Sequence, residues 1–196
     1  MNEELLILIS REDDVIGFEG KTKVHKLALL HRAFSVFIID EAEQTVLLQR
    51  RAKEKYHSGG LWSNSCCSHP RKDESWSHAI SRCIEQELGI YVDFSDTNVD
   101  AQIQEGEENK KSALRFVGRF EYRSDYSDLS EHELDHVFLW SEVEEMRWIK
   151  LSDLEKWCAM RPQEFTSWFK EALNIILNIM VPRNRTADMQ KLVNMV

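Results

Sequence analysis

The sequence predicts a single mixed α/β domain of the α+β kind, with a mixed β-sheet core flanked by helices and a helical C-terminal end. Three observations carry that prediction. Apolar, β-rich segments dominate the first half and recur in the middle of the chain, residues 75–88 have helical periodicity, and the end of the chain carries a long apolar helical face. The 196 residues, 42% of them hydrophobic, suffice to bury one core, and no Pro/Gly/Ser-rich linker divides them. Residues 1–196 are therefore expected to form one domain, with its core at about 17–180.

Taken in order, LLILISREDDVIGF (Leu5 to Phe18) reads as an edge strand, a polar turn and a return. Arg32 to Ile39 (RAFSVFII) and Thr45 to Arg50 (TVLLQR) are apolar and β-rich, and the polar DEAEQ between them predicts a hairpin. Gly59 and Gly60 mark a loop leading into LWSNSCCSHP. Ser75 to Leu88 is the clearest helix, since Trp76, Ala79, Ile80, Cys83, Ile84 and Leu88 recur at steps of three and four before Gly89 ends it. Asp100 to Ser112 is too polar to pack and is expected to be a loop. Leu114 to Tyr122, Leu134 to Trp140 and MRWIKL read as strands. Leu151 to about Met180 reads as helix, with Trp157, Phe165, Trp168, Phe169, Leu173 and Ile176 on its apolar face and a break at Arg161-Pro162.

Composition narrows the chemistry. A formal net charge of −9 disfavours a general surface for nucleic acid, so an anionic substrate would have to be held by local Lys/Arg and metal ions. The start of the chain lacks the pattern of a signal peptide, and the longest apolar runs are too short to span a bilayer. A cytoplasmic protein with no membrane partner, a monomer or weak homodimer, is expected. Cys66, Cys67, Cys83 and Cys158 do not form a disulfide pattern, and Cys66-x-x-His69 has no matching second pair to close a zinc knuckle. These thiols are either buried or reactive.

One group of N and O donors stands out. His25 and His31 flank KLALL, His69 follows Cys67 by two positions, and Glu131 and Glu133 sit two apart at the start of a strand, where they share a face. Three imidazoles and two carboxylates suit an octahedral Mn²⁺ or Mg²⁺, or a Zn²⁺ of raised coordination number. His25 and His31 can reach one ion only if the chain bends between them. His57, His78, His132 and His136 read as ordinary polar residues. Glu87 falls on the apolar stripe of the 75–88 helix, an expensive place for a carboxylate unless it is paired, holds a cation or reaches water at the rim.

Glu74, Arg82, Ile84, Glu87, Gly89 and Ile90 keep the spacing of a Nudix box, whereas Ser68, Cys83 and Gln86 replace three of its positions. Together with GKTKVHKLALLHRAFSVFI, LLQRRAKEKYHSGGLWSNSCCSHP, the helix ending in ELGI, FEYR, EHELDHVF and Trp168 in EFTSW, this makes the chain resemble the type 1 isopentenyl-diphosphate Δ-isomerases, a branch of the Nudix superfamily with a degraded box. The likeness runs from about Gly17 to Trp168. It implies a Nudix-type fold and conversion of isopentenyl diphosphate to dimethylallyl diphosphate by protonation and deprotonation through a tertiary carbocation, in the making of isoprenoid precursors. A Nudix hydrolase of a diphosphate and a non-catalytic metal-binding module are the rival readings.

The resemblance also implies roles. Cys67 and Glu133 become the acid–base pair, Tyr122 a hydrogen-bond partner of the glutamate, and Trp168 a ring face beside the cation. His25, His31, His69, Glu131 and Glu133 become the ligands of a divalent Mn, Mg or Zn ion. A second ion, Mg²⁺, would arrive with the diphosphate and be held by Glu87 and the backbone carbonyl of Cys67, while Lys21, Arg51 and Lys55 clamp the diphosphate. Two departures stand out. Cys83 occupies the place of a phosphate-contacting arginine of the bacterial relatives, and the link from His25 to His31 is one residue shorter than usual.

Overall fold

A computed structural model describes residues 3–55, 57–105, 112–141 and 148–180. Strand β3 (His31–Asp40) is the axis of the fold, and its run of aromatic and β-branched residues suits a position covered on both faces. Along His31 to Ile38 it pairs in parallel with β9 (Ser130–Trp140). At successive points it also pairs antiparallel with β1 (Leu5–Ile9), β7 (Cys66–Ser68) and β4 (Thr45–Leu47). β2 (Val15–Gly20) pairs with β1, β8 (Leu114–Asp125) with β9, and β10 (Trp148–Lys150) with β4, which completes an eight-stranded mixed sheet. The short strands β5 (Gln49–Arg50) and β6 (Trp62–Ser63) form a separate ladder at the stem of the loop between them.

Alternation along β3 builds two cores, one on each face of the sheet. Phe34, Val36 and Ile38 pack against Trp76, Ala79, Ile80, Cys83 and Ile84 of α2 (Trp76–Leu88), together with Val99 of α3 (Val99–Glu105). Phe37 and Ile39 pack against Leu151, Leu154 and Cys158 of α4 (Leu151–Met160) and Phe169, Leu173 and Ile176 of α5 (Phe169–Met180). The α+β architecture predicted from the sequence is the one observed. Among the described residues, no helix is long and apolar enough to cross a membrane.

Helix α2 begins where expected: the Ser75 side chain accepts a hydrogen bond from the backbone N–H of His78, and Gly89 closes the helix at φ 71°. Two expectations need correction. The polar stretch from Asp100 is not all loop, because its first half continues α3, while 106–111 lies outside the described residues. Gln102 explains the difference: its buried amide bonds the backbone of Leu114, Thr97 and Phe116, so a polar residue anchors the helix to β8. Trp168 stands in the turn just before α5 rather than within a helix.

Candidate active site

The bend required between His25 and His31 is supplied by a change of element. His25 lies on the short helix α1 (Lys21–Lys26), and His31 opens β3 after a link in which Ala28 takes φ 51°. Each imidazole is anchored through Nδ1 on a backbone carbonyl, His25 on Lys21 and His31 on Leu29, both at 2.8 Å. A carbonyl only accepts, so Nδ1 carries the proton and Nε2 presents a bare lone pair. Both Nε2 atoms are buried and, among the described residues, have no hydrogen-bond partner.

His69 joins them from the end of the NSCCSHP stretch, and the three rings lie 5.0–5.5 Å apart. Glu133 faces His31 across the β3–β9 ladder and brings Oε1 to 3.0 Å from His69 Nε2 and 3.5 Å from His31 Nε2. Ligand atoms of His25, His31, His69 and Glu133 all fall within 4.8 Å of one another. Buried nitrogens with no partner, gathered around a carboxylate, fit a divalent cation, and this His/Glu cluster could hold one. Burial drives the His69 pKa down to about 4 despite the attraction of Glu133, and lowers His25 in the same way. Burial opposes charge on Glu133 too, but the neighbouring His69 and His31 hold it well below the usual carboxylate range. At neutral pH His25 and His69 are therefore neutral and Glu133 is ionised, the state that binds metal.

The same carboxylate faces a cavity of about 150 Å³. Tyr122, directly opposite Glu133 in the β8–β9 register, donates its hydroxyl to Glu133 Oε2 at 2.7 Å. A register shift at Phe116/Gly118, with Gly118 at φ 149°, precedes that pairing in β8. Cys67 lines the cavity from β7, across β3 from the glutamate strand. Burial and the nearby Glu87 push its thiol well above the ordinary range, against the pull of Arg51, so the sulfur keeps its proton. Trp168 forms part of the wall beside Tyr122, with ring centres 6.1 Å apart, and carries the Arg51 guanidinium 5.4 Å above its ring.

Lys21, Arg51, Lys55 and Glu87 also line this cavity. Arg51 Nε is buried and has no hydrogen-bond partner among the described residues. Glu87 is exposed at the mouth, where it accepts from Gln49 at 2.9 Å and from the Cys67 backbone N–H. Desolvation by the surrounding cavity wall raises its pKa, against the pull of those donors and of Lys55 and Arg51. Arg82 does not line this cavity; it is bound to Glu74 at 2.7 and 2.9 Å and to the His69 carbonyl.

Three comparisons bear on this geometry. Residues 29–177 match the model of the NUDIX domain. The chain is 39% identical to the isopentenyl-diphosphate Delta-isomerase of Burkholderia multivorans over 177 residues, 85% of this chain and 89% of that protein. It is 34% identical to isopentenyl-diphosphate Delta-isomerase 2 of Aromatoleum aromaticum over 97% of this chain and 95% of the relative. The chain belongs to the isopentenyl-diphosphate Delta-isomerase family. The fold agrees with a crystal structure of DR0079 from Deinococcus radiodurans, which superposes with a TM-score of 0.61 at 14% identity, over 87% of this chain and 98% of that one.

Among the site residues expected from the sequence, His25, His31, His69 and Glu133 converge, and the rest line the cavity. Glu131 does not join the imidazoles; its carboxylate is turned to His57 and Tyr126. The sequence reading missed Asp135 and His57, which line this pocket, and Asn64 and Ser65, which lie behind it. Asp135 lines it beside Glu133, with one oxygen accepting from Ser35 at 2.8 Å and the other buried with no partner among the described residues. His57 lines it from the loop after β5. Asn64 and Ser65 are fully buried behind it: Asn64 accepts from Trp168 Nε1 at 3.2 Å, and Ser65 bridges the backbone of Leu47 and Ile38. The alternation that pairs Glu131 with Glu133 extends to Asp135 and could have found it; nothing in the sequence singled out His57.

Proposed function

We propose that this protein interconverts isopentenyl diphosphate and dimethylallyl diphosphate, with Cys67 and Glu133 as the acid–base pair. The observation that carries the reading is a protonated thiol and an ionised carboxylate facing one small cavity, with a cluster of metal-binding donors directly behind the carboxylate. An alkene is a very weak base, so its protonation demands a placed donor, a base for the second proton and few waters to trap the cation. In the resting state Cys67 has a proton to give and Glu133 can accept one. Tyr122 fixes Glu133 Oε2 through its hydroxyl, and its own proton is retained because burial and the two neighbouring glutamates raise its pKa well above normal. Trp168 offers a π face to positive charge, worth about 2 kcal/mol where water is excluded. It acts on the cationic state and little on the neutral alkene, which makes the contribution catalytic.

The His25, His31, His69 and Glu133 donors, with Glu131 beside them, would hold Mn²⁺, Mg²⁺ or Zn²⁺. An ion there fixes Glu133 and tunes its proton affinity. Lys21, Arg51 and Lys55 supply charge for the diphosphate, and Glu87 at the mouth would share its Mg²⁺ with the Cys67 carbonyl. Hydrolysis is the weaker reading, since Cys83 and Gln86 replace box glutamates and Glu74 is spent on Arg82.

Incubation with isopentenyl diphosphate in deuterated water tests the reaction: deuterated dimethylallyl product is expected. Cys67→Ala and Glu133→Gln should each lower kcat by on the order of 10²–10⁴-fold or more while the circular-dichroism spectrum is kept. Unaltered turnover in either variant, or release of phosphate in place of exchange, defeats the proposal.

A further inference from the structure

Glu131 lies beside the converging donors on the same cavity, and a histidine outside the family's ligand set fixes its carboxylate. His57 Nε2 lies 3.0 Å from Glu131 Oε1, with both side chains almost wholly buried. A carboxylate only accepts, so this contact has His57 donating. On the other oxygen, Tyr126 donates at 3.2 Å. Tyr122 is also 3.3 Å away, but its single proton goes to Glu133 at 2.7 Å. Two of the four lone-pair sites of Glu131 are thus occupied and two are left for a cation.

The His57 ring is itself fixed. It lies against the Tyr126 ring with centres 4.7 Å apart and meets Trp168 at 6.2 Å. The Tyr126 hydroxyl also bonds Ser58 and Ser167, each at 3.3 Å, so it fastens the loop that carries His57 and the turn that carries Trp168. That loop rises from the β5–β6 stem and bears Arg51 and Lys55 on the same cavity.

We propose that His57 is a positioning residue for the cation site: its bond to Glu131 fixes that carboxylate beside the four converging donors and ties the loop of Arg51 and Lys55 to the metal centre. The inference rests on the reading of Glu131 as a ligand given above. Partners that orient a ligating carboxylate change metal affinity by on the order of 10–100-fold when removed. His57 has that place here.

The test uses the full chain, stripped of metal and titrated calorimetrically with Mn²⁺ alone, then with Co²⁺ while the visible bands are recorded. His57→Phe keeps a ring against Tyr126 and loses the hydrogen bond; His57→Gln keeps a donor and loses the ring. Expected results are an affinity for Mn²⁺ lowered on the order of 10–100-fold in His57→Phe, much of it recovered in His57→Gln, and a Co²⁺ spectrum of His57→Phe shifted toward that of Glu131→Gln. A spectrum that follows Glu131→Gln is not produced by general loosening of the fold. Wild-type affinity and spectrum in His57→Phe, with both altered in Glu131→Gln, overturn the role of His57 alone. No change in Glu131→Gln overturns the ligand reading beneath it. His57→Gln binding more weakly than His57→Phe also overturns the proposal, because packing would then matter and the hydrogen bond would not.

Discussion

His69 changes its proton inventory on folding within the mildly acidic range. Its pKa is 6.5 in an exposed setting and about 4 in the fold, where burial disfavours the charged ring. Between those values the unfolded chain takes up a proton that the folded chain refuses. Stability is thus complete above pH 6.5, falls as pH drops through this window, and has lost its full share by about pH 4. At 1.36 kcal/mol per pKa unit, the share is roughly 3 kcal/mol for the metal-free protein. His25 is lowered for the same reason and adds in the same direction. Urea titrations of the metal-free chain at pH 7, 6 and 5 should show this decline, and His69→Gln should flatten it. An equal slope in that variant would show that the proton is taken up elsewhere. The type of each residue in this cluster was plain in the sequence, but the convergence of the rings was not. It depends on two backbone carbonyls, those of Lys21 and Leu29, to which composition gives no clue. Glu131 shows the converse: its spacing from Glu133 fixed the face it occupies, yet His57 and Tyr126 decide where its oxygens point.

Among the elements, α2 was the most legible because two independent signals agreed on it, an apolar stripe and a glycine stop. Gly89→Ala should cost about 1 kcal/mol, since an added Cβ would meet nothing within 4 Å and only the left-handed backbone would object. A urea midpoint unchanged by this substitution would mean that the helix end can unwind without loss. α3 was illegible for a physical reason, namely that its anchor is Gln102, whose amide satisfies three backbone groups and so serves as a core residue despite its polarity. The long strands β3 and β9 announced themselves by apolar content, but their parallel pairing, which sets His31 opposite Glu133, joins residues about a hundred positions apart. No local pattern encodes a contact of that range.

On the scale of the whole molecule, folding and cation binding are expected to be linked, because the donors are drawn from α1, β3, β9 and the segment after β7. A cation that binds only when these elements are assembled stabilises the fold by about 2.7 kcal/mol at a hundred times its Kd. Treatment with a chelator should therefore lower the melting temperature by several degrees, and Mn²⁺ should restore it. A melting curve indifferent to both would mean that the cluster is already satisfied without an ion. The net charge of −9 works against an anionic substrate at a distance, so capture is expected to depend on Lys21, Arg51 and Lys55 at the cavity itself.

His25 and His31 are each held by their own surroundings, one by the carbonyl of its helix and the other by that of Leu29 at the head of a paired strand. Neither relies on the span between them to stay in place. The number of residues in that span is then free to drift, and a glycine inserted beside Ala28, where the backbone already runs left-handed, should leave ion affinity intact. A tether shortened by one residue thus reflects tolerance in the connector and does not count against the histidine that follows it.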